Sequence, residues 1–155
     1  MRQISGANST KLEGREGSFV ILLDTTVLVY AVGEEHPLKE PCRRILSLHA
    51  TGQIELATTI EVIQEFAHVY ARRRRPPEAV NIALQWVTGL DVIATTREDL
   101  LHGLVLFEER AALSAFDAIL AAVALRHPEK SLISADRAFS AIRGLKWRSP
   151  TTFRE

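Results

Sequence analysis

Short apolar runs alternate along the chain with longer segments in which apolar residues recur at helical spacing. The short runs are Phe19 to Leu23, Ile54 to Ala57, Asp91 to Ala94, Ser131 to Ser134 and Leu145 to Trp147. Their length and composition predict strands, whereas the longer segments predict helices. Strands that alternate with helices are typical of a parallel sheet covered on both faces. The pattern therefore predicts an α/β fold, a three-layer sandwich with a central, mostly parallel sheet flanked by helices.

Turn and capping residues set the boundaries of the predicted helices. Gly33, Gly52 and Gly89 lie at predicted helix ends, and Thr96 and Ser114 stand where a helix start with early acids is expected. The predicted helices cover residues 25–32, 38–50, 58–72, 77–88, 95 to about 110, 114–125 and, as a short piece, 137–142.

Length and composition indicate one domain. The 155 residues suit a single core, and 46% hydrophobic with 25% charged residues is typical of a globular protein. The first 18 residues are polar, contain Gly14 and Gly17, and lack the apolar core of a signal peptide. We therefore expect a flexible N-terminal tail over 1–18 and one domain over 19–155.

Charge, cysteine and histidine content argue against several classes of function. Basic and acidic residues both number 19, so the zero net charge gives no global argument for nucleic-acid binding. The longest apolar run, Leu113 to Leu125, is too short for a membrane span and contains Asp117. The five histidines and the single Cys42 form no zinc motif. One cysteine fits a reducing cytosol, so we expect a cytoplasmic protein.

Two acids follow predicted strands directly. Asp24 comes after the first apolar run, and Asp136 comes after the run at Ser131 to Ser134. The carboxyl ends of parallel strands meet at one edge of a sheet, where ligands collect. Asp is also a favoured helix N-cap, so each acid has a structural alternative. A buried charge such as that of Asp24 needs a partner or a metal ion.

Three further acids lie on predicted helices. Thr58 to Glu61 fits a capping box, which makes Glu61 a structural residue. Glu65 lies at the edge of an apolar stripe and faces either a cleft or solvent. Asp117 also fits a capping box, with Ser114, but its helix is apolar nearly all round and is expected to be buried. The helix dipole at that position stabilises an anion.

Asp24, Glu65, Asp117 and Asp136 are the acids whose positions let them converge. Carboxylates gathered without a counter-charge repel one another, which raises their pKa values. A divalent cation removes that repulsion, and ligands that are all oxygen favour Mg²⁺ or Mn²⁺ over zinc. Such an ion activates water and stabilises charge on a phosphate. The predicted chemistry is therefore phosphodiester hydrolysis.

A run of arginines follows the helix that carries Glu65. Its members are Arg72, Arg73, Arg74 and Arg75. Cations at a helix end are favoured by the dipole, so the run has a structural interpretation. Arginine also pairs with phosphate through two parallel hydrogen bonds, so the run is equally a candidate clamp for a nucleic-acid backbone.

Four segments contain the acids discussed above, in this order: ILLDTTVLVYA, TTIEVIQEFAHVYARR, LSAFDAILAAVAL and LISADRAF. In order and spacing they resemble the motifs of the PIN domain, and most closely those of VapC-type toxins from bacterial toxin–antitoxin pairs. The resemblance covers about Phe19 to Pro150. It places the family's helical glutamate on Glu65 rather than Glu61. One departure is Thr26, where family members often carry Asn, although a hydroxyl can still hydrogen-bond a carboxylate.

The resemblance implies a Mg²⁺-dependent endoribonuclease toxin that acts on RNA, is usually a homodimer and is held inactive by a cognate antitoxin. Asp24 and Asp117 are then expected to bind the metal most directly, and Glu65 and Asp136 to complete its shell. Around them we expect Thr26 and Ser134 to support the carboxylates through their hydroxyls. We expect basic residues to steer the RNA, namely Arg72, Arg73, Arg74, Arg75 and Arg137.

Two alternatives stay open at this point. The segment DTTVL also resembles the first motif of aspartate-nucleophile phosphatases of the haloacid dehalogenase type. Those enzymes need a second Asp where this chain has Thr26, and a later lysine, for which Lys130 is the candidate. The other alternative is a catalytically silent binding module on the same fold, against which the complete set of four acids argues.

Overall fold

The computed structural model describes residues 20–154, so the expected N-terminal tail over 1–18 lies outside the described residues. Within this range no helix is long and apolar enough to cross a membrane. The strands are β1 (Val20–Leu23), β2 (Glu55–Thr59), β3 (Asp91–Ile93), β4 (Ser131–Ile133) and β5 (Trp147–Arg148). The helices are α1 (Thr25–Val32), α2 (Lys39–Ala50), α3 (Ile60–Ala71), α4 (Pro76–Gly89), α5 (Arg97–Glu109) and α6 (Ala115–Arg126), with a 3₁₀ helix at Arg137–Ala141.

The five strands form one sheet in the order β3-β2-β1-β4-β5, and every pair is parallel. Right-handed crossovers then place the helices between β1 and β3 on one face and those between β3 and β4 on the other. The helix contacts agree, since α1 packs on α2 and α3, α3 packs on α4, and α5 packs on α6. The predicted three-layer α/β sandwich is confirmed.

The core is built around β1 and α6. Ile21, Leu22 and Leu23 of the central strand are buried, as expected for a strand covered on both faces. On α6 the buried face is rich in alanine, which lets neighbouring backbones approach closely. Gly103 on α5 shows how closely, because a Cβ atom there would lie 2.7 Å from the Cα of Ile119.

The start of α3 differs from the prediction. Thr58 and Thr59 continue β2 and pair with β3, so the helix begins two residues later, at Ile60. The Thr58 hydroxyl donates to the Leu23 carbonyl at 3.1 Å, and Thr59 is the N-cap. The predicted capping box between Thr58 and Glu61 is therefore wrong, because Thr58, which the local pattern assigned to the cap, pairs with β3 as part of the sheet.

Two other predicted helix starts are confirmed. Ser114 and Asp117 form a complete capping box at α6, and Thr96 and Asp99 form one at α5. These boxes depend on contacts three residues apart, which is why the sequence alone reveals them. The acid of the second box, Asp99, also has a long-range partner that the local pattern did not reveal.

Candidate active site

The site lies where the winding of the sheet reverses. From β1 the chain crosses to β2 on one side, and it later returns to β4 on the other. This reversal opens a crevice at the carboxyl ends of β1 and β4, the usual ligand position in such sheets. The strands stay joined there, because the Asp24 amide donates to the Ile133 carbonyl at 3.1 Å. Residues that follow these strands therefore border one crevice.

A cavity of about 380 Å³ occupies this crevice. Asp24, Glu65, Asp117 and Asp136 all contribute to its lining. They come from four different places in the chain: the ends of β1 and β4, the middle of α3 and the first turn of α6. The structure thus brings together the acids that the sequence singled out.

Asp24 is the most buried of these acids, with 2% of its surface exposed. It occupies the N-cap position of α1 but makes no side-chain capping bond. Its Oδ2 instead accepts from the Thr26 hydroxyl at 2.7 Å and from the Ser134 hydroxyl at 2.6 Å. The structural alternative of a simple helix cap therefore does not describe what this carboxylate does.

Thr26 and Ser134 tie the two strand exits together. Thr26 Oγ1 accepts from the Ala135 amide at 3.1 Å, and Ser134 Oγ accepts from the Asp136 amide at 2.9 Å. Each hydroxyl thus accepts a hydrogen bond from a backbone amide just after β4 and donates one to Asp24. Thr26 fills the donor role that we expected of it in place of Asn.

Glu65 and Asp136 are also oriented by local contacts. Glu65 Oε2 accepts from the Thr25 hydroxyl at 2.6 Å, which fixes the α3 side chain against the start of α1. Asp136 Oδ1 accepts from the Ala138 amide at 2.8 Å and so caps the 3₁₀ helix, as the sequence suggested. Both carboxylates remain partly exposed to the cavity.

Asp117 is held by its capping box. Its Oδ2 accepts from the Ser114 hydroxyl at 2.7 Å and from the Ser114 amide at 3.3 Å. The cap fixes the direction of the carboxylate, so capping and facing the cavity are compatible in this residue. The two interpretations of Asp117 were not exclusive.

The electrostatics of the cavity disfavour ionisation of Asp24. Burial raises the pKa of its carboxyl from 3.8 to about 6, against the hydrogen bonds from Ser134 and Thr26, which favour the charged form. Repulsion from the Asp117 carboxylate contributes to this rise. The hydroxyls orient the charge without neutralising it, so the site gains from a cation.

The arginines divide between the cavity and the surface. Arg73, just beyond α3, lines the cavity, and among the described lining residues it carries the positive charge. Arg75 is exposed and pairs with Glu78. Three others, all exposed, lie outside the lining of that cavity: Arg72, Arg74 and Arg137.

The chemistry of the donor set fits a hard divalent cation. The acids and their supporting hydroxyls are all oxygen ligands, the type that Mg²⁺ and Mn²⁺ prefer. Between residues 20 and 154, however, no three His, Cys, Asp or Glu side chains stand close enough together to hold an ion as they are. Mg²⁺ usually binds through one or two carboxylates and keeps several waters, so a site with two direct ligands does not need such a cluster.

Two residues near the acids were missed or misjudged from the sequence. Tyr30 of α1 lines the main cavity and stacks on His36 with ring centroids 4.4 Å apart. Glu61 was assigned to a cap, but it lines a smaller pocket beside the acids, together with Asp24 and Asp117. The spacing of four from Glu65 was the available signal for Glu61, since residues four apart share a helix face.

The chain is similar to known proteins over most of its length. A family model described as PIN domain matches residues 21–145. Ribonuclease VapC7 of Mycobacterium tuberculosis is 47% identical over 129 residues, covering 78% of this chain and 85% of that protein.

Solved structures with a similar fold include VapBC2 from Rickettsia felis bound to a DNA fragment from their promoter. It superposes with a TM-score of 0.67 at 18% identity and covers 84% of this chain and 98% of that one. A toxin–antitoxin complex from Klebsiella pneumoniae superposes with a TM-score of 0.61 at 21% identity, covering 84% and 97%. At such low identity these two structures support the fold alone.

Proposed function

The chain belongs to the PIN-domain family, and we propose that it is a VapC-type ribonuclease toxin that hydrolyses RNA phosphodiester bonds with a bound Mg²⁺ or Mn²⁺ ion. The observation that carries the proposal is that four carboxylates line one cavity at the place where the winding of the sheet reverses. The ribonuclease name of the 47% identical relative supports the same activity.

Asp24 and Asp117 are the residues that hold the metal most directly in this proposal, and Glu65 and Asp136 complete its surroundings. When bound, such an ion lowers the pKa of water and stabilises charge on the phosphate. The raised pKa of Asp24 and its repulsion by Asp117 support this assignment, because a cation relieves both.

The chain's own hydroxyls keep the carboxylates in place. Thr26 and Ser134 hold Asp24, Thr25 holds Glu65, and Ser114 holds Asp117, each through a hydrogen bond of 2.6–2.7 Å. Because these donors are neutral, the acids keep their charge for the cation. A carboxylate that does not contact the ion is then free to orient the attacking water.

Arg73 is the residue best placed to receive the RNA backbone. It lines the cavity, and its guanidinium matches a phosphate with two parallel hydrogen bonds. The exposed basic residues around it steer the polyanion toward the cavity mouth at longer range. In this proposal these residues are Arg72, Arg74, Arg75 and Arg137.

Exposed apolar helix surfaces support protein partners. Two groups of large apolar side chains are about half exposed, one on α3 and α4 and one on α5. Patches of this kind mark interaction sites. We propose that they bind a second copy of the chain and a cognate antitoxin. Because the proposed substrate is RNA, we also propose that the protein acts in the cytoplasm. The members are Ile60, Val80, Leu84 and Val87 in the first group, and Leu100, Leu101, Leu104, Val105 and Phe107 in the second.

The phosphatase alternative fails on the position of its lysine. Lys130 precedes β4, whereas Asp24 follows β1, and these neighbouring strands are parallel. The two residues therefore lie at opposite edges of the sheet. The position of the second Asp is occupied by Thr26, which is engaged with Asp24.

RNA cleavage with Mg²⁺, with EDTA and by variants tests the proposal. We expect Asp24→Asn and Asp117→Asn to lower the rate about a thousandfold or more while folding normally, because each removes a charge that the metal needs. Asp91→Asn is the matched control, since Asp91 is exposed at the start of β3, on the opposite edge of the sheet.

Wild-type activity that survives EDTA, or Asp24→Asn and Asp117→Asn proteins that cut RNA at the normal rate, would overturn the metal site. Calorimetry with Mn²⁺ separates an enzyme from a silent binding module. Binding that is weakened in Asp24→Asn supports the enzyme, whereas a wild-type protein that takes up no ion contradicts it.

A further inference from the structure

A second pocket extends the carboxylate cavity toward β3. It shares Asp24, Glu65 and Asp117 with the main cavity and adds Glu61 and Thr95, among others. Thr95 follows β3, so the two pockets together run along the carboxyl edge of the sheet from the end of β4 to the end of β3. RNA bound along this edge would place one phosphate at the metal site and a neighbouring nucleotide at the second pocket.

Glu61 is fixed within the second pocket. Its Oε2 accepts from the Thr95 hydroxyl at 2.8 Å, which joins α3 to the segment after β3. That hydrogen bond leaves the other carboxylate oxygen and one lone pair of Oε2 available, since a carboxylate has about four acceptor positions. Glu61 is thus oriented by a contact 34 residues away rather than by a helix cap.

The part of this pocket around Glu61, away from the proposed metal ligands, disfavours a phosphate and favours a base edge. A carboxylate repels phosphate, and the other new lining side chains are mainly apolar: Val62, Phe116, Ile119 and Leu120. Phe116 is 58% exposed, which leaves an aromatic side chain available for stacking with a base. The free space of about 80 Å³ suits the edge of a base rather than a whole nucleotide.

We propose that this pocket reads the nucleobase next to the scissile phosphate and that Glu61 selects guanine there, an inference that rests on the proposed RNA cleavage. A carboxylate only accepts hydrogen bonds. Guanine offers two adjacent N–H donors, N1–H and N2–H, on its Watson–Crick edge, the edge by which unpaired RNA bases are read. Uracil offers one N–H between two carbonyl oxygens, which a carboxylate repels.

Sequencing the ends produced from RNA with a randomised segment tests the proposal with Mg²⁺ present. We expect the wild type to prefer guanine over uracil at one fixed position beside the cut. Glu61→Gln keeps an oxygen for Thr95 but puts an N–H donor in the pocket, so that preference should fall about tenfold or more. Thr95→Val should weaken it less, because the carboxylate remains but is no longer fixed.

Glu55→Gln is the matched control, since Glu55 is exposed at the amino end of β2, the edge opposite the site. The control should keep the wild-type preference, and Glu61→Gln should keep the wild-type Mg²⁺ requirement and melting temperature. Cleavage without base preference, or an unchanged preference in Glu61→Gln, would refute base reading while leaving the nuclease intact. A Glu61→Gln effect that is equal for all bases, or that raises the Mg²⁺ requirement, would assign Glu61 to the metal instead. A wild type that cuts no RNA refutes both proposals.

Discussion

Asp24 and Asp99 are two acids at helix starts with similarly little exposed surface, yet their surroundings differ in charge. Only 2% of Asp24 and 3% of Asp99 is exposed. Asp24 precedes α1 and receives two neutral hydroxyls. Asp99, in the first turn of α5, faces the Arg126 guanidinium, whose Nε lies 2.8 Å from Oδ1 and whose Nη2 lies 2.8 Å from Oδ2.

The pKa values of the two acids move in opposite directions. Burial raises the pKa of Asp24 to about 6, and its hydrogen bonds only partly offset this. Burial also acts to raise the pKa of Asp99, but the hydrogen bonds from Arg126 and Thr96 outweigh it, so this pKa lies below 3.8. A counter-charge within hydrogen-bonding distance decides the sign.

Asp99 has a structural role, whereas Asp24 is an acid that we propose for the metal site. Arg126 also donates to the Ala94 carbonyl at 2.9 Å, so the Asp99 pair fastens the end of α6 to the start of α5. That charge is already neutralised and has nothing further to bind. The Asp24 charge is oriented but not neutralised, so it remains available to a cation.

The largest expected effect concerns activity. Asp24→Asn should lower RNA cleavage about a thousandfold or more, because the proposed metal site loses a charged ligand. Its free energy of unfolding at neutral pH, without metal, should stay equal or rise, because an unneutralised buried charge is removed. Cleavage assays and urea unfolding measure the two effects. A marked loss of stability in Asp24→Asn would show that this acid is structural after all.

Asp99→Asn should show the reverse pattern. It leaves the partly exposed guanidinium of Arg126 without its charged partner, so we expect a loss of about 1–3 kcal/mol in unfolding free energy. Cleavage per folded molecule should remain near normal, since Asp99 lies outside the cavity lining. Arg126→Met combined with Asp99→Asn tests the pairing, because the double variant should lose less than the two single losses added.

The pH dependence of stability should distinguish the two acids. For Asp24 the folded-state pKa of about 6 exceeds the ordinary 3.8, so its stabilising effect is full below 3.8 and is lost as pH rises to about 6. The loss is up to about 3 kcal/mol. For Asp99 the folded-state pKa is lowered, so its stabilisation is present above 3.8 and is lost at lower pH.

Urea unfolding in EDTA from pH 3 to pH 7 measures this, with each Asn variant as the reference for its own acid. The difference between wild type and Asp24→Asn should change between pH 4 and 6. The corresponding difference for Asp99→Asn should change below pH 4. A wild-type profile that matches Asp24→Asn throughout would contradict the raised pKa.

The smallest expected effect comes from the hydroxyls. Thr26→Val removes one donor to Asp24 and the acceptor of the Ala135 amide while Ser134 remains, so we expect a loss of about 1–2 kcal/mol at neutral pH and a further rise in the Asp24 pKa. The pH at which wild type and variant diverge reports that rise. Thr88→Val is the matched control, because Thr88 is exposed on α4 and donates only to its own helix. An Asp24 pKa that is unchanged in Thr26→Val would show that the Thr26 hydroxyl does not stabilise the charged form of Asp24.

Much of the fold and part of the site followed from local pattern. The strands, most helices and two capping boxes depend on residues a few positions apart, and the acids at strand exits follow from the parallel sheet. The start of α3 did not follow, because pairing with β3 extends β2 through Thr59. Glu61 was misassigned for the same reason, since its partner Thr95 belongs to the segment after β3.

The sequence by itself determined which elements form and where the acids leave them, because periodicity and capping act over a few residues. The tertiary structure alone decided which acids are neutralised, because charges and hydrogen bonds act through space. Asp99 meets Arg126 across 27 positions, and Asp24 meets Ser134 across 110. The local pattern places Asp24 after a strand and Asp99 in the first turn of a helix, but only the folded chain gives a guanidinium to Asp99 and a pair of hydroxyls to Asp24.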